Sequence, residues 1–336
     1  MNASAPADEG ETPSLAAPPT LYGVPRHARG EPVALKPAFK VHYEQVLGKE
    51  SYEQLVQELC YYLPKAVRMN ALKNNPDDTA ERLRKHFTLT PIPWVRDAYW
   101  VHGKRRDIGN TIEHQLGYCY IQEAASMLPP VVLAPEPGMR VLDMAASPGS
   151  KTTQLANAMN NSGVLVANDM GARMRALGIN IQKCGCQCVV LTNMDGRRMP
   201  KNAFDRVLAD VPCSATGTIQ RSLKAASMWS ESFSKKLARL QKQLAFAAYD
   251  ALVPGGRMVY STCTLEPREN EAIVSLLAHA GARVLPIDLP IRREKPFTEL
   301  DGEALHPSVA HCLRIHPYTN NTEGFFVALL EKPLRE

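Results

Sequence analysis

The sequence predicts an α/β fold: a doubly wound, mainly parallel sheet with a small α/β module on its amino-terminal side. Three observations predict it. Beyond Pro129, short apolar runs alternate with helical stretches, the pattern of successive strand and helix units. Nearly all of those runs end in a polar residue, as strands do where they border a ligand crevice. Ahead of them, residues 37–128 follow a different and more basic pattern, so a separate module is expected there.

In chain order, residues 1–36 are rich in Pro, Ala, Gly and Ser and read as a disordered lead-in. Phe39, Tyr43, Val46 and Leu47, then Tyr52, Leu55, Val56 and Leu59, fall at the spacing of two short amphipathic helices. "LPKAVRMNALK" predicts a strand and turn, a charged helix follows near Pro76 to Phe87, and Pro-bounded extended pieces come next. From residue 129 onward the predicted strands are "MRVLDM", "GVLVAND", "QCVVLTNMD", "FDRVLADVP", "GRMVYSTC", "ARVLPI" and "GFFVALLEK". Between the fourth and fifth lies a long helix. Ser232 is its expected N-cap, Phe233, Leu237, Leu240, Leu244 and Ala248 its expected buried stripe, and "PGG" at 254–256 its expected stop.

Composition is that of a soluble globular protein of 336 residues, with no apolar run long enough to cross a membrane and no signal peptide at the start. A cytoplasmic monomer is expected. Eight scattered cysteines suit a reducing compartment, so no disulfide is predicted. The formal charge of +5 is unevenly spread: residues 60–110 hold ten Lys or Arg against five acids. A polyanionic partner follows from that asymmetry, with Phe87, Trp94, Tyr99 and Trp100 as candidate platforms for unpaired bases. A plain solvated surface explains the charge equally well.

After the first strand comes "DMAASPGSKTTQLA", where small residues and Gly149 let the backbone approach a ligand and a helix starts near Ser150. The glycine pattern of dinucleotide sites is missing, so a cofactor without a pyrophosphate is expected. Asp143, Asp169, Asp195 and Asp210 close four successive strands. Any one of them alone reads as a turn-former. Together they are acceptors for an amine, ribose hydroxyls and an adenine amino group, which points to S-adenosylmethionine.

Two strands end in cysteine, in "DVPCSATGT" and "VYSTCTLEPREN". If the fourth and fifth strands are neighbours, Cys213 and Cys263 meet beside the methyl donor. A thiol cannot stack on a target base; it can attack one. Carbon 5 of a pyrimidine accepts a methyl group only after a nucleophile has added at carbon 6, and the carbon 5 proton must then leave, which gives two thiols distinct work. Asp210, beside the first thiol, is placed to relay a proton to ring nitrogen 3.

The motifs "GYCYIQEAASMLPP", "VLDMAASPGSKT", "DGRR", "DVPCSATGT", "YSTCTLEPRENEAIV" and "CLRIHPYTNNTEGFFVALL" stand in one order. In that order they resemble the RNA cytosine-5 methyltransferases of the Sun/Nop (NSUN-like) type. "LPKAVRMNALK" and "IPWV" resemble the amino-terminal RNA-binding module of the same family. The resemblance implies a Rossmann-like class I methyltransferase sheet over residues 129–336 and an RNA-binding module over 37–128. It implies Cys263 as nucleophile, Cys213 as the group that assists release, and Lys151 and Asp210 close to the base. Ala145, Ala146, Ser147, Pro148, Gly149, Ser150, Lys151, Asp169, Arg173, Asp195 and Asp210 would then hold S-adenosylmethionine, and Arg68, Asn70 and Lys73 would meet RNA. Many members have Ser-Gly-x-Gly after the first cysteine, where this chain has Ser214-Ala215-Thr216-Gly217.

Of the alternatives, DNA cytosine-5 methyltransferases use the Pro-Cys cysteine as nucleophile and have no need of "STCT". A non-catalytic RNA-binding or ribosome-assembly factor has no need of two thiols. "CGCQC" (Cys184, Cys186, Cys188) has spacing that suits packing better than tetrahedral zinc, so no metal is expected. The compact architecture looks most like archaeal-type tRNA methyltransferases, with ribosomal RNA as the other candidate substrate.

Overall fold

The computed structural model describes residues 21–30, 33–105 and 107–334. Its large sheet has eight strands. Seven of them are Arg140–Asp143, Val164–Asp169, Val189–Asn193, Phe204–Asp210, Leu252–Thr262, Arg283–Leu285 and Phe325–Glu331, and the short strand Leu313–Ile315 pairs beside the last. Counting the seven in chain order, they lie side by side as third, second, first, fourth, fifth, seventh, sixth. The first five run parallel, and the seventh is antiparallel to its neighbours. All seven predicted strands are present. Inner strands of a parallel sheet are covered on both faces and so apolar along their length, which makes them visible as unbroken runs, whereas the edge strand Val189–Asn193 exposes Val190 and Leu191.

The order reverses between the first and fourth strands, opening a crevice at their carboxyl ends. Asp210 lies opposite Ser261 in the register of the fourth and fifth strands. Cys213 and Cys263, a few residues further along each strand, therefore leave the sheet side by side.

The long helix spans Glu231–Ala251. Its cap is Ser230, which accepts from the backbone N–H of Phe233, and not Ser232, which is exposed. The buried stripe is Ser234, Gln241, Leu244, Ala245, Ala248 and Ala251; Leu244 and Ala248 were expected, whereas Phe233, Leu237 and Leu240 are only half-buried. The helix ends before "PGG", which already belongs to the fifth strand. The stripe is rotated because polar Ser234 and Gln241 face a buried carboxylate described below.

In the small module, Lys65–Met69, Thr88–Pro91, Ala98–His102 and Cys119–Ile121 form a four-stranded antiparallel sheet. Helix Pro76–Arg84 packs on it, capped by the Asn75 side chain, which accepts from Asp77 N at 2.8 Å. The two expected amphipathic helices are Pro37–Leu47 and Lys49–Glu58. They bury Phe39, Tyr43, Leu55 and Leu59 against Ile219, Trp229 and Leu265, on loops of the large domain next to both cysteines. A second cluster joins Trp94 and Trp100 of the module to Leu133, Val141, Leu165 and Val327 of the large domain. Module and sheet thus share apolar core.

Two expectations are corrected here. Residues 1–20 of the proposed disordered lead-in lie outside the described residues, but residues 21–30 are built into the fold. His27–Ala28 pairs with Tyr61–Tyr62, Val24 is fully buried, and the Tyr22 ring lies 5.2 Å from Trp100 and 5.9 Å from Trp94. The same contacts remove Trp94 and Trp100 from the list of base platforms, since both are buried, as is Phe87. Three aromatic rings packed on one another bury more apolar surface than any could offer to solvent.

Candidate active site

The crevice is built from strand ends. Cys213 Sγ and Cys263 Sγ lie 3.4 Å apart, both half-buried thiols without a disulfide. Asp210 accepts from Ser261 Oγ at 2.7 Å and pairs with Lys151 Nζ at 2.8 Å. Lys151 also donates to Ser126 Oγ at 3.0 Å and stands 5.5 Å from the centre of the Phe325 ring. Burial alone would drive off the Lys151 proton, but Asp210 beside it offsets that and holds its pKa above the ordinary lysine value. The Cys213 thiol is pushed well above the usual range by its hydrogen bond to Cys263 and by burial, so Cys213 keeps its proton at neutral pH.

The loop after Cys213 is held by close backbone approaches. Gly217 N donates to Cys263 O at 3.0 Å, and Gly324 N donates to Gly217 O at 2.9 Å. A Cβ on Gly217 would fall 2.2 Å from Gly324 O, so no larger residue fits. Beneath the loop sits Glu269, fully buried and without a cation, accepting from Ser214 N at 2.9 Å, Ser234 Oγ at 2.8 Å and Gln241 Nε2 at 2.8 Å. Burial raises its pKa, while the Ser214 and Gln241 hydrogen bonds counter the rise. This carboxylate ties the chain after Cys263 to the chain after Cys213. Neither it nor Ser261 and Ser126 was singled out in the sequence, although all three lie inside the quoted motifs.

The first-strand loop, Ala145 to Lys151, leads into helix Ser150–Ala158, with a cis bond between Ser147 and Pro148. Asp169 accepts from Ser147 N at 2.8 Å and from Met170 N at 2.7 Å, and Arg173 donates to Ser147 O at 3.0 Å. Asp195 accepts from Arg197 N and pairs with the Arg197 guanidinium, which holds its carboxyl down at about 2. Asp143 accepts from Thr152 Oγ1 at 2.7 Å, yet its other oxygen is buried with no partner. Burial lifts its pKa to about 7, with the Thr152 hydrogen bond pulling the other way and Asp210 adding to the rise. An acceptor left bare in a crevice of acids and small residues fits a cofactor that brings an amine, ribose hydroxyls and a positive charge.

The proposed RNA contacts divide. Lys73 is exposed, its stem lying across Gly185. Arg68 and Asn70 are buried, which corrects their assignment as RNA contacts. Arg68 donates to Thr153 Oγ1 at 3.0 Å and to Gln122 Oε1 at 3.3 Å, pinning the small module to the helix after the first strand. Asn70 donates to Gly117 O at 2.8 Å and Cys184 O at 2.9 Å. Their sequence context was basic, but strand Lys65–Met69 is covered on both faces, Val67 and Met69 lying in the module's own core and Ala66 in the core shared with the large domain, so consecutive residues are buried there whatever their charge. Cys184 and Cys186 are buried and Cys188 is half-buried, and among the described residues no group of three metal-ligating side chains converges. No helix among the described residues is long and apolar enough to cross a membrane.

Residues 130–331 match the family model described as 16S rRNA methyltransferase RsmB/F, and residues 35–124 match that of the N-terminal domain of 16S rRNA methyltransferase RsmF. The chain is 40% identical to a tRNA (cytosine(49)-C(5))-methyltransferase of Pyrococcus abyssi, over 88% of this chain and 99% of the relative. It is 37% identical to a ribosomal RNA small subunit methyltransferase F of Erwinia tasmaniensis, over 89% of this chain but only 64% of that longer protein. A crystal structure of a methyltransferase homologue from Pyrococcus horikoshii superposes with a TM-score of 0.78 at 32% identity, covering 89% of this chain and all of that one. With that fold, those strand-end cysteines and that acidic crevice, the chain belongs to the RsmB/F family and is an S-adenosylmethionine-dependent RNA cytosine-5 methyltransferase.

Proposed function

We propose that the substrate is tRNA and that Cys263 and Cys213 divide the chemistry between them. The observation that carries the division is the 3.4 Å approach of the two sulfurs, with Asp210 and Lys151 at the same strand end. Cys263 adds through sulfur to carbon 6 of the cytosine, and Asp210 relays the thiol proton to ring nitrogen 3. Carbon 5 becomes an enamine carbon. S-adenosylmethionine supplies an electrophilic methyl group carried on a positively charged sulfur. Lys151 holds Asp210 in place and keeps a charge over the ring edge.

While Cys263 is anionic, a second charge 3.4 Å away is costly, so Cys213 stays a thiol and donates its S–H to the neighbour. Once the Cys263 sulfur is bonded to carbon, that cost disappears. Cys213 then gives its own proton to solvent and takes the carbon 5 proton as the bond from carbon 6 to sulfur breaks, while the proton on ring nitrogen 3 returns through Asp210 to the departing sulfur, restoring the double bond and the Cys263 thiol. Each step uses a side chain of a single chain, so the reading needs neither a second subunit nor a metal ion. In the cofactor crevice, Asp143, Asp169, Asp195 and Asp210 are the acceptors, and the loop from Ala145 to Ser150 together with Arg173 fixes their spacing.

The preference for tRNA is supported by the Pyrococcus abyssi relative, a tRNA (cytosine(49)-C(5))-methyltransferase that is 40% identical to this chain over 99% of its own length. Ribosomal RNA is the second reading, favoured by the descriptions of both matching families. Bisulfite sequencing of tRNA and ribosomal RNA incubated with the protein and S-adenosylmethionine decides between them. A protected cytosine in tRNA, lost with Cys263→Ala, is the expected result; protection confined to ribosomal RNA would reverse the assignment.

A further inference from the structure

The small module carries a cleft of its own. It measures about 170 Å³, room for one planar ring system and too small for a peptide or a helix. Phe87, Val101 and Ile108 form its apolar floor, and Tyr62, Lys65 and Arg105 stand at its mouth. Tyr62 is 52% exposed, which is unusual for an aromatic residue lining a concave apolar surface. No residue of the proposed catalytic set lines this cleft.

The charges around the mouth favour an anion. Arg105 lies 5.4 Å from the centre of the Phe87 ring, and Arg29 lies 5.9 Å from the centre of the Tyr62 ring. The acid facing them is Asp107, which is bound to Arg105 through two hydrogen bonds of 2.9 Å and is also close to Lys65. His27 and His102 complete the polar lining, and His102 is bonded to Thr90 Oγ1 at 2.8 Å. Among the described residues, the two arginines at the mouth, Arg29 and Arg105, stand with the single carboxylate of Asp107. An apolar slot with an open aromatic wall and a cationic mouth matches a base joined to a phosphate.

The wall of the cleft is fastened to the catalytic loop. Arg29 donates to Gln220 O at 2.9 Å, and Gln220 Nε2 donates to Tyr61 O at 3.3 Å. Gln220 is three residues beyond Gly217, whose N–H is bonded to Cys263 O. Arg221, the next residue, has a side chain 62% exposed and pairs with Glu323 at 2.8 Å. The loop after Cys213 thus joins the catalytic cysteines to Arg29 and Tyr61 at the cleft.

We infer that this cleft holds one unpaired nucleotide of the substrate RNA, its base against the exposed Tyr62 ring and its phosphate at Arg29 and Arg105. The inference rests on the RNA methyltransferase reading and adds to it a second, non-reacting contact. Binding of a remote nucleotide holds the RNA while the target base is unstacked into the crevice.

The test compares unmodified protein with Tyr62→Ala and Tyr62→Phe, using a tRNA transcript in which some uridines are replaced by 4-thiouridine. Loss of one stacking face is expected to raise KM for RNA about ten-fold in Tyr62→Ala. Tyr62→Phe keeps the face and restores KM to within about two-fold. Irradiation is expected to cross-link RNA to a peptide containing Tyr62 or Arg105, and thermal melts of all three proteins control for folding. If KM in Tyr62→Ala is unchanged and the cross-links fall elsewhere, the cleft is not a nucleotide site. Cross-linking and weakened binding with ribosomal RNA in place of tRNA would keep the cleft and revise only the substrate. An unmodified protein that methylates no RNA at all would remove both the activity and the inference.

Discussion

The crevice at the end of the large sheet and the sheet of the small module were both marked in the sequence by reactive or charged residues, and they turned out differently. At the crevice, Cys213 meets Cys263 and Asp210 meets Lys151. In the module, Arg68, Asn70, Trp94 and Trp100 are buried frame. The difference is one of warrant. Residues at the crevice were chosen by position along a strand, which fixes where a side chain goes; those in the module were chosen by composition, which does not.

The largest expected effect breaks the comparison on the catalytic side. Cys263→Ala should reduce methyl incorporation by at least about a thousand-fold, with a melting temperature close to that of the unmodified protein because the thiol is only half-buried. Cys213→Ala should instead leave protein bound to RNA as a denaturant-resistant band on a gel, since addition proceeds and release does not. A freely turning over Cys263→Ala, or a clean gel for Cys213→Ala, would overturn the division of labour.

The crevice also stores electrostatic cost, measurable by pH. The Asp143 pKa is about 7 in the fold against an ordinary aspartate value of 3.8, so between those values the folded chain binds more protons than the unfolded one. The stability this group contributes is therefore fully present below about pH 4 and is lost as pH rises toward 7, by on the order of 3–4 kcal/mol. Asp143→Asn, assayed by urea denaturation without cofactor, should flatten that slope. An unchanged slope would show that the carboxylate is solvated or paired.

Next in size is the buried carboxylate under the cysteine loops. Glu269→Ala leaves Ser214 N and the Ser234 hydroxyl without their acceptor and Gln241 Nε2 with only Pro212 O. It should cost about 3 kcal/mol in a denaturant melt and lower kcat by loosening the approach of the two sulfurs. Glu269→Gln, which keeps one acceptor, should lose less.

On the module side the comparison is sharpened by a pair of replacements. Arg68→Met removes a guanidinium whose Nη1 has no hydrogen-bond partner, and it fills the same space with an apolar chain. RNA affinity and its salt dependence should be unchanged. Lys73→Gln, on an exposed cation, should lower the slope of log K against log salt by about 1. The reverse outcome would restore Arg68 as a phosphate contact.

What was legible follows the same division. The seven strands, the neighbouring cysteines and the acids at strand ends could be read because a parallel sheet imposes apolar runs and a polar rim. The burial of Arg68 could not, because its partners Thr153 and Gln122 lie 85 and 54 residues away. The order of residues 21–30 was hidden for a similar reason: Tyr22 donates to Asn320 across 298 residues, a contact that local composition cannot announce. Ser230 and Ser232 are equally good caps by type. Only the rotation of the helix toward Glu269 selects the first.

The smallest effect concerns the residue by which this chain departs from its relatives' usual pattern. Ala215, where many members have glycine, has φ 57° and ψ 25°, the left-handed region in which a Cβ crowds the following carbonyl. The conformation is imposed from both sides: Ser214 N is held by Glu269, Thr218 N is bonded to Ala215 O at 3.0 Å, and Gly217 is clasped between Cys263 and Gly324. The strain is therefore native. Ala215→Gly removes it, worth about 1 kcal/mol, while freeing the unfolded chain, which takes back a comparable fraction. A stabilisation of about 0.5 kcal/mol is expected in urea denaturation, with kcat unchanged because the hydrogen bonds that shape the turn involve only backbone atoms of residue 215. A loss of stability would mean that the Ala215 methyl group contributes packing that outweighs its backbone strain.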